Sequence, residues 1–151
     1  MNDPKRRMTI LLMVHFTPAH EVFSILLNSP AWMKHLFGEG GPAEAVRFWE
    51  LVRSEPWFAT HDLKSVIEDT PECVVPLRMH GDDAKGYMIY SWCSLLNRRF
   101  DRMLIASYNC ATWHSALGCH RAHEVMMWSF QAIEENCWPK TRHDGSPWEG
   151  P

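Results

Sequence analysis

The sequence predicts an α+β fold in which N-terminal helices pack on a three-stranded antiparallel meander that is followed by one long helix. Three observations favour this class. Proline-marked helical periodicity runs through residues 17–70, β-rich runs with short connections occupy residues 73–108, and a second helical pattern covers residues 119–137. The chain of 151 residues is 46% hydrophobic and 22% charged, which is typical of a protein with a single globular core.

Prolines mark the boundaries of the helical part. The first helix is predicted to begin at Pro18, because a proline at the first helical position loses no hydrogen bond, and to stop before Pro30. A short helical piece over residues 31–37 and an amphipathic helix over residues 43–54 follow it. Residues 57–70 have mixed periodicity, which indicates no more than a short turn of helix.

The hydrophobic period then changes to that of strands. Residues 73–79 are predicted to form a half-buried strand, in which Pro76 indicates an edge position or a bulge because proline cannot donate to a ladder. We predict a turn over residues 81–86, a second strand over residues 87–96 and a third over residues 102–108. The short connections between consecutive strands favour an antiparallel meander.

The last periodic segment and the chain end complete the domain organisation. Residues 119–137 are predicted to form the long helix. We assign residues 1–16 to an N-terminal extension, residues 17–138 to a single α+β domain, and residues 139–151 to a C-terminal tail. The tail is rich in breakers and charge, with Trp148 as its only large apolar side chain, so we expect it to have no fold of its own.

The overall charge disfavours one large class of partner. The formal net charge is −3 and the pI is about 6.3, so the chain lacks the excess of Lys and Arg that holds nucleic acid. We therefore expect no nucleic-acid binding by the isolated chain. No apolar run reaches the ~18 residues that span a bilayer, so we also expect no membrane partner.

The cysteines indicate a reducing compartment. The chain has five, an odd number, and they are irregularly spaced without a CxxC pair, which is typical of reduced thiols in an intracellular protein of the nucleus or cytoplasm. The basic residues 5–7 precede an apolar run, as in a signal peptide. That run has only the minimum length and no small-residue cleavage site follows it, so we predict an intracellular location and keep a signal segment as the alternative.

A histidine and two aspartates follow the first predicted strand, at His80, Asp82 and Asp83. Three strands with a carboxylate at the end of the first, then a helix, form the β-β-β-α opening of an RNase H-like fold, whose nucleases hold two metal ions with carboxylates. In that interpretation Asp82 is a weak candidate for catalysis, and Asp82 with Asp83 would bind Mg²⁺. The alternative is turn chemistry, because Gly and Asp tolerate the positive φ of tight turns.

Cysteines and histidines near the last helix are weak candidates for a second metal site. Cys119 and His123 lie four residues apart, and His120 lies three from His123, so the three side chains fall close to one helix face. Cys110 or His114 from the preceding loop would complete a Zn²⁺ site. Because the spacing matches no standard zinc finger and buried cysteines commonly act as small hydrophobic residues, we predict no cofactor and keep Zn²⁺ as the alternative.

Five segments resemble, in order, a family of proteins abundant in dinoflagellate proteomes. They are TPAHEVFSILL, AVRFWELVRSEPWF, CVVPLRMHGDDA, YSWCSLL and MMWSFQAIEENCWPKTRHDG. The family motifs are a PHEVF entry helix, an FW helix, a VPxxxHGD strand, an SWxSL strand, and a WS[FW]xA helix that leads to WP and HDG. The resemblance covers nearly the whole chain and implies this architecture. It implies little chemistry, because the family's activity is not established.

Two departures from the family pattern matter. The family has Gly where this chain has Asp83, which puts a second carboxylate ligand in doubt. Its members also continue beyond HDG with a strand containing GD and then with cysteine pairs. The resemblance therefore implies that this chain, which ends at Pro151, is the N-terminal part of a longer protein.

Two function hypotheses come from different classes. The first is a fragment or remnant of a mobile-element protein of the transposase or integrase type, with an RNase H-like half-core and no complete active site. The alternative is a non-enzymatic protein-interaction module whose exposed sheet edge and Trp148-bearing tail dock another protein or the missing C-terminal half. No nucleophile elbow, phosphate loop or dinucleotide-binding motif occurs, so we expect the isolated chain not to be an enzyme.

Overall fold

The structure is a computed structural model that describes residues 16–97, 99, 101–109 and 116–148. It contains five α-helices and three strands in these residues, together with 3₁₀ turns at Pro56–Thr60 and Pro71–Cys73. In chain order they are α1 (Ala19–Asn28), α2 (Pro30–Phe37), α3 (Pro42–Val52), α4 (Lys64–Asp69), β1 (Leu77–Ala84), β2 (Tyr87–Ser94), β3 (Met103–Asn109) and α5 (Ala116–Glu134). The predicted α+β class is confirmed.

The helical boundaries follow the prolines. Helices α2 and α3 each have proline at their first position, and α1 begins directly after Pro18. Only Ser29 separates α1 from α2. Its extended backbone ends the first helix and turns the chain into the second. Helix α2 ends at Phe37 and is capped by Gly38, whose φ of 71° lies in the left-handed region and whose N–H donates to the Lys34 carbonyl.

The sheet has the strand order β1-β2-β3 with both pairings antiparallel, which confirms the predicted meander. Strand β1 is therefore an edge strand. The predicted strand over residues 73–79 starts too early, because β1 begins at Leu77 and Pro76 precedes it instead of interrupting it. A register shift between Tyr90 and Ser91 of β2 leaves Ile105 of β3 as an extra residue, since Tyr90 faces Ala106 and Ser91 faces Leu104. The bulge places Ile105 and Ala106, both buried, in successive positions against the core.

The predicted turn over residues 81–86 is wrong in its extent. Strand β1 continues to Ala84, and the connection to β2 is only Lys85 and Gly86, with φ values of 54° and 82°. Gly81 pairs with Tyr90 and the aromatic ring lies over the glycine, where a Cβ atom would come within 3.0 Å of Tyr90 Cε1. A glycine that looks like a turn residue in the sequence thus makes room for a cross-strand aromatic side chain.

The core lies between one face of the sheet and the helices. Its largest fully buried side chains include Trp92 of β2, Ile105 of β3, Leu36 of α2 and Met126 of α5. The opposite face of the sheet carries Leu104, which is 53% exposed. None of the helices in the described ranges combines the length and the apolarity that crossing a bilayer requires.

The region after α5 differs from the expectation of a tail without a fold. A tight turn is closed by the Arg142 N–H, which donates to Ser146 O at 2.7 Å, and by Gly145, whose φ is 81°. Thr141 forms a β-bridge with Pro147, and the Thr141 carbonyl accepts a hydrogen bond from Trp128 Nε1 at 2.9 Å. Polar residues that look like breakers in the sequence therefore make a compact turn that packs on α5.

Candidate functional site

The residues of the predicted carboxylate site lie on β1 and do not converge. His80 and Asp82 share one face of the strand, with 4.0 Å between Nε2 and Oδ2, and the Asp82 side chain is 64% exposed. Asp83 points to the other face because successive side chains of a strand alternate, and its Oδ1 accepts the Gly86 N–H at 3.3 Å. This geometry gives no support to one ion shared by both aspartates. Asp82 as a metal ligand stays a prediction.

The predicted zinc ligands that the structure describes have other partners. His120 lies 3.3 Å from the Glu124 carboxylate on the exposed side of α5. His123 faces the sheet, with Nε2 at 3.1 Å from the Tyr90 hydroxyl. Cys110 and His114 lie outside the described residues, as does the Cys119 side chain. Among the described residues no three His, Cys, Asp or Glu side chains lie together as metal ligands would, and the zinc site stays a prediction.

One edge of β1 faces away from β2, and the sequence alone does not show which backbone groups lie along it. In a hairpin with a two-residue turn, the closing pair, here Ala84 and Tyr87, exchanges both backbone hydrogen bonds, and hydrogen-bonded pairs then recur at every second residue. The Leu95 N–H donates to Pro76 O at 2.9 Å, in the same phase. The residues whose N–H and C=O point away from β2 are therefore Leu77, Met79, Gly81 and Asp83. We call these groups the outer edge.

No other described residue pairs with the outer edge. Strand β1 has eight residues, longer than the usual five or six, and it pairs with β2 without a bulge. It contains neither proline nor lysine, the residues that commonly block edge pairing. The other edge of the sheet is different, because Phe16 bridges to Ala106 of β3 and the Thr17 N–H donates to Ile105 O at 2.8 Å.

Charge is distributed unevenly along β1. At its N-terminal end Arg78 lines a cavity of about 270 Å³ with His80, Cys93 and Arg102. Neither arginine side chain has an ion pair within the described part of the chain. At the C-terminal end Asp82 is exposed on the same face. The edge strand thus presents a cation at one end and an anion four residues later.

A second buried polar group, His20, lies in the first turn of α1. Its backbone N–H donates to Ser129 Oγ at 3.2 Å, and its Nδ1 lies 2.9 Å from the same oxygen. The Ser129 hydroxyl has two lone pairs and one proton, so it can accept the backbone N–H and also bond to Nδ1 of the neutral ring. Trp128 and Trp138 pack edge-on against the imidazole, with centroids at 4.9 and 5.4 Å. Burial lowers the pKa of His20, and Glu21 opposes this only in part.

Protein-family models, curated proteins and solved structures were compared with the chain, and none of them matches it. The resemblance to the dinoflagellate family therefore rests on its sequence motifs alone and stays a prediction.

Proposed function

We propose that the chain is a non-enzymatic protein-interaction module that accepts an extended peptide strand along the outer edge of β1. The observation that carries the proposal is the row of N–H and C=O groups at Leu77, Met79, Gly81 and Asp83 that no other described residue pairs with. An added strand satisfies those groups, and pockets between alternate side chains select its sequence. Trp148 packs against Trp128, which favours the sheet edge over the tail as the interaction surface.

The energetics favour a partner that is already extended. Each backbone hydrogen bond contributes a net of about 0.5–1.5 kcal/mol, so main-chain pairing alone gives a modest affinity that side chains must supplement. Met79 is 45% exposed beside the outer edge and offers an adaptable apolar contact. Arg78 and Asp82 add charges on the other face. The partner's side chains at alternating positions would therefore determine specificity.

A proline scan of the outer edge tests the proposal. Met79→Pro removes an outward N–H while leaving the bonds to β2 in place, since prolines are tolerated on edge strands whose N–H faces solvent. Met79→Thr is the matched control, because it also loses the methionine side chain but keeps the N–H. Both variants must retain the wild-type far-UV circular dichroism.

The probe is a displayed library of random 12-residue peptides. We expect peptides selected on the wild type to keep binding to Met79→Thr and to lose at least about tenfold in affinity for Met79→Pro, as the loss of a main-chain contact and of strand register requires. The proposal would be contradicted by selected peptides that bind Met79→Pro and the wild type with equal affinity. A library that yields no binder would also contradict it.

The mobile-element hypothesis is the second candidate. The observation that favours it is the order of three antiparallel strands followed by the long helix α5, together with an exposed Asp82 on β1. Under this hypothesis Mg²⁺ raises the melting temperature of the wild type and not that of Asp82→Asn. If Asp82 has no metal role, the substitution changes stability by about 1 kcal/mol or less and Mg²⁺ acts equally on both proteins.

An intracellular location belongs to the same proposal. The thiols of Cys73, Cys93 and Cys137, the cysteines whose side chains the structure describes, are free, which is typical of a reducing compartment. A fluorescent fusion of the chain tests this directly. Secretion of the fusion, or oxidation of these thiols in the purified native protein, would contradict it.

A further inference from the structure

We propose that the strand received by the outer edge is β1 of a second copy of this chain, paired antiparallel with Arg78 of each copy opposite Asp82 of the other. The two sheets would then form one continuous six-stranded sheet across a two-fold axis. The inference rests on the proposed function, since it names the partner of the same edge. It is carried by the self-complementary order of charges and side-chain sizes along β1.

Backbone geometry leaves only a few registers for such a pair. The outward hydrogen-bonding groups belong to every second residue, so these residues must face one another across the new ladder. A slip of one residue would place an outward N–H opposite a residue that is already bonded to β2, and the allowed registers therefore differ by steps of two. Near the middle of β1 the two-fold axis can then pass through Met79, His80, Gly81 or Asp82. An axis at Asp82 sets this carboxylate opposite its own copy, which like-charge repulsion disfavours, and leaves the other three.

Side chains distinguish these three registers. With His80 at the axis, Arg78 faces Asp82 of the second copy, and the symmetry makes this opposite-charge pair twice. In the same register Leu77 faces Asp83, and the two His80 side chains face each other. With Gly81 at the axis, His80 faces Asp82, Met79 faces the Asp83 carboxylate, and Arg78 has no acid opposite. With Met79 at the axis, Arg78 faces His80 and the acids have no cationic partner. Opposite charges directly across a ladder stabilise it and like charges destabilise it, so the register centred on His80 is favoured.

Side-chain size points to the same register. Met79 then lies opposite Gly81 of the second copy, where the absence of a side chain leaves room on the edge. Tyr90 already covers that glycine, with its Cε1 3.0 Å from the position that a Cβ would take. The methionine would therefore pack its thioether near the Tyr90 ring, a contact that sulfur makes favourably with aromatic groups. Because of the two-fold symmetry, the exposed Met79 side chains of both copies would be buried in this way.

Charge reversal tests the register in the full chain. Arg78→Asp alone would set two acids opposite each other at both ends of the pair, and Asp82→Arg alone would set two arginines opposite each other. The matched pair of experiments uses the same two variants. An equimolar mixture of Arg78→Asp with Asp82→Arg regains an opposite-charge pair at both ends, and so does the double variant Arg78→Asp/Asp82→Arg.

The readout is molar mass by light scattering over a concentration series. We expect the wild type to pass from one copy to two, each single variant to need at least about tenfold higher concentration, and both the mixture and the double variant to recover the wild-type behaviour. Loss of the dimer in Met79→Pro, with retention in Met79→Thr, places the contact at the outer edge.

The outcomes separate this inference from the proposed function. A wild type that stays monomeric at all concentrations overturns the second-copy inference, and so does a dimer whose charge variants fail to rescue each other. In either case peptide binding that is sensitive to Met79→Pro would leave the proposed function standing. A dimer that Met79→Pro does not weaken overturns the inference by placing the interface elsewhere.

Discussion

His20 couples the folding of α1 and α5 to pH. It is 6% exposed, its neutral ring bonds to Ser129, and its Nε2 has no hydrogen-bond partner among the described residues. Burial lowers its pKa from the ordinary value of 6.5, so the unfolded chain takes up a proton at a higher pH than the folded chain does. The contribution of the neutral His20 ring to the free energy of unfolding is therefore fully present above about pH 6.5 and is lost as the pH falls below that value.

We predict that His20→Gln removes most of this dependence. The glutamine amide stays neutral at every pH and can still bond to Ser129. The free energy of unfolding of the variant will therefore change less between pH 7 and pH 5 than that of the wild type. Urea titrations at several pH values measure the difference. Equal pH dependence in the two proteins would show that His20 is not the group responsible.

Asp101 sets the lowest pH at which the wild type and His20→Gln can be compared. Hydrogen bonds from Asn97 and then from His35, whose Nδ1 lies 2.6 Å from Oδ2, lower the pKa of this carboxyl below its ordinary 3.8. A carboxyl with a lowered pKa stabilises the fold above its unfolded value, and this contribution is lost as the pH falls below 3.8. Measurements above pH 5 therefore separate the histidine from the aspartate.

At the scale of elements, the hairpin of β1 and β2 is closed by an unfavourable residue. Lys85 has a φ of 54°, a left-handed conformation that costs a residue with a Cβ roughly 1–2 kcal/mol, whereas Asn at this position of an Asn-Gly turn tolerates it well. We predict that Lys85→Asn stabilises the protein by about 0.5–1 kcal/mol in chemical denaturation. Lys85→Val is the control and will destabilise it. Equal stability of the three proteins would mean that the turn has a different geometry in solution.

The same hairpin shows why the sequence predicts the strands better than their connection. Alternating and β-branched residues identify β2 and β3, whereas the predicted first strand starts too early, since Cys73 lies in a 3₁₀ turn and Pro76 precedes β1. Gly81 and Asp82 have the composition of a turn, yet they pair with Tyr90 and Ile89. That pairing is decided by a residue on another strand, because the Tyr90 ring needs the space that Gly81 leaves. Propensity over a short window carries no such information.

At the scale of the whole molecule, what the sequence leaves out are contacts between distant residues. The α+β class follows from two clear periodicities, and the helix starts follow from Pro30 and Pro42. The packing of Trp148 on Trp128 joins the C-terminal turn to α5, and the periodicity of the sequence does not predict this contact. The outer edge is likewise a property of the assembled sheet. Sequence order identifies β1, but only the register identifies which of its backbone groups face outward.

The most direct measurement of the central claim is residue-resolved amide hydrogen exchange along β1. At concentrations where the chain is a single copy, we predict slow exchange at the amides bonded to β2 and fast exchange at those of the outer edge. The slow set is Arg78, His80 and Asp82, and the fast set is Leu77, Met79, Gly81 and Asp83. Dimer formation or a bound edge peptide will slow the second set and leave the first unchanged. If Met79, Gly81 and Asp83 already exchange as slowly as their neighbours in the single copy, the outer edge is covered and the account is contradicted.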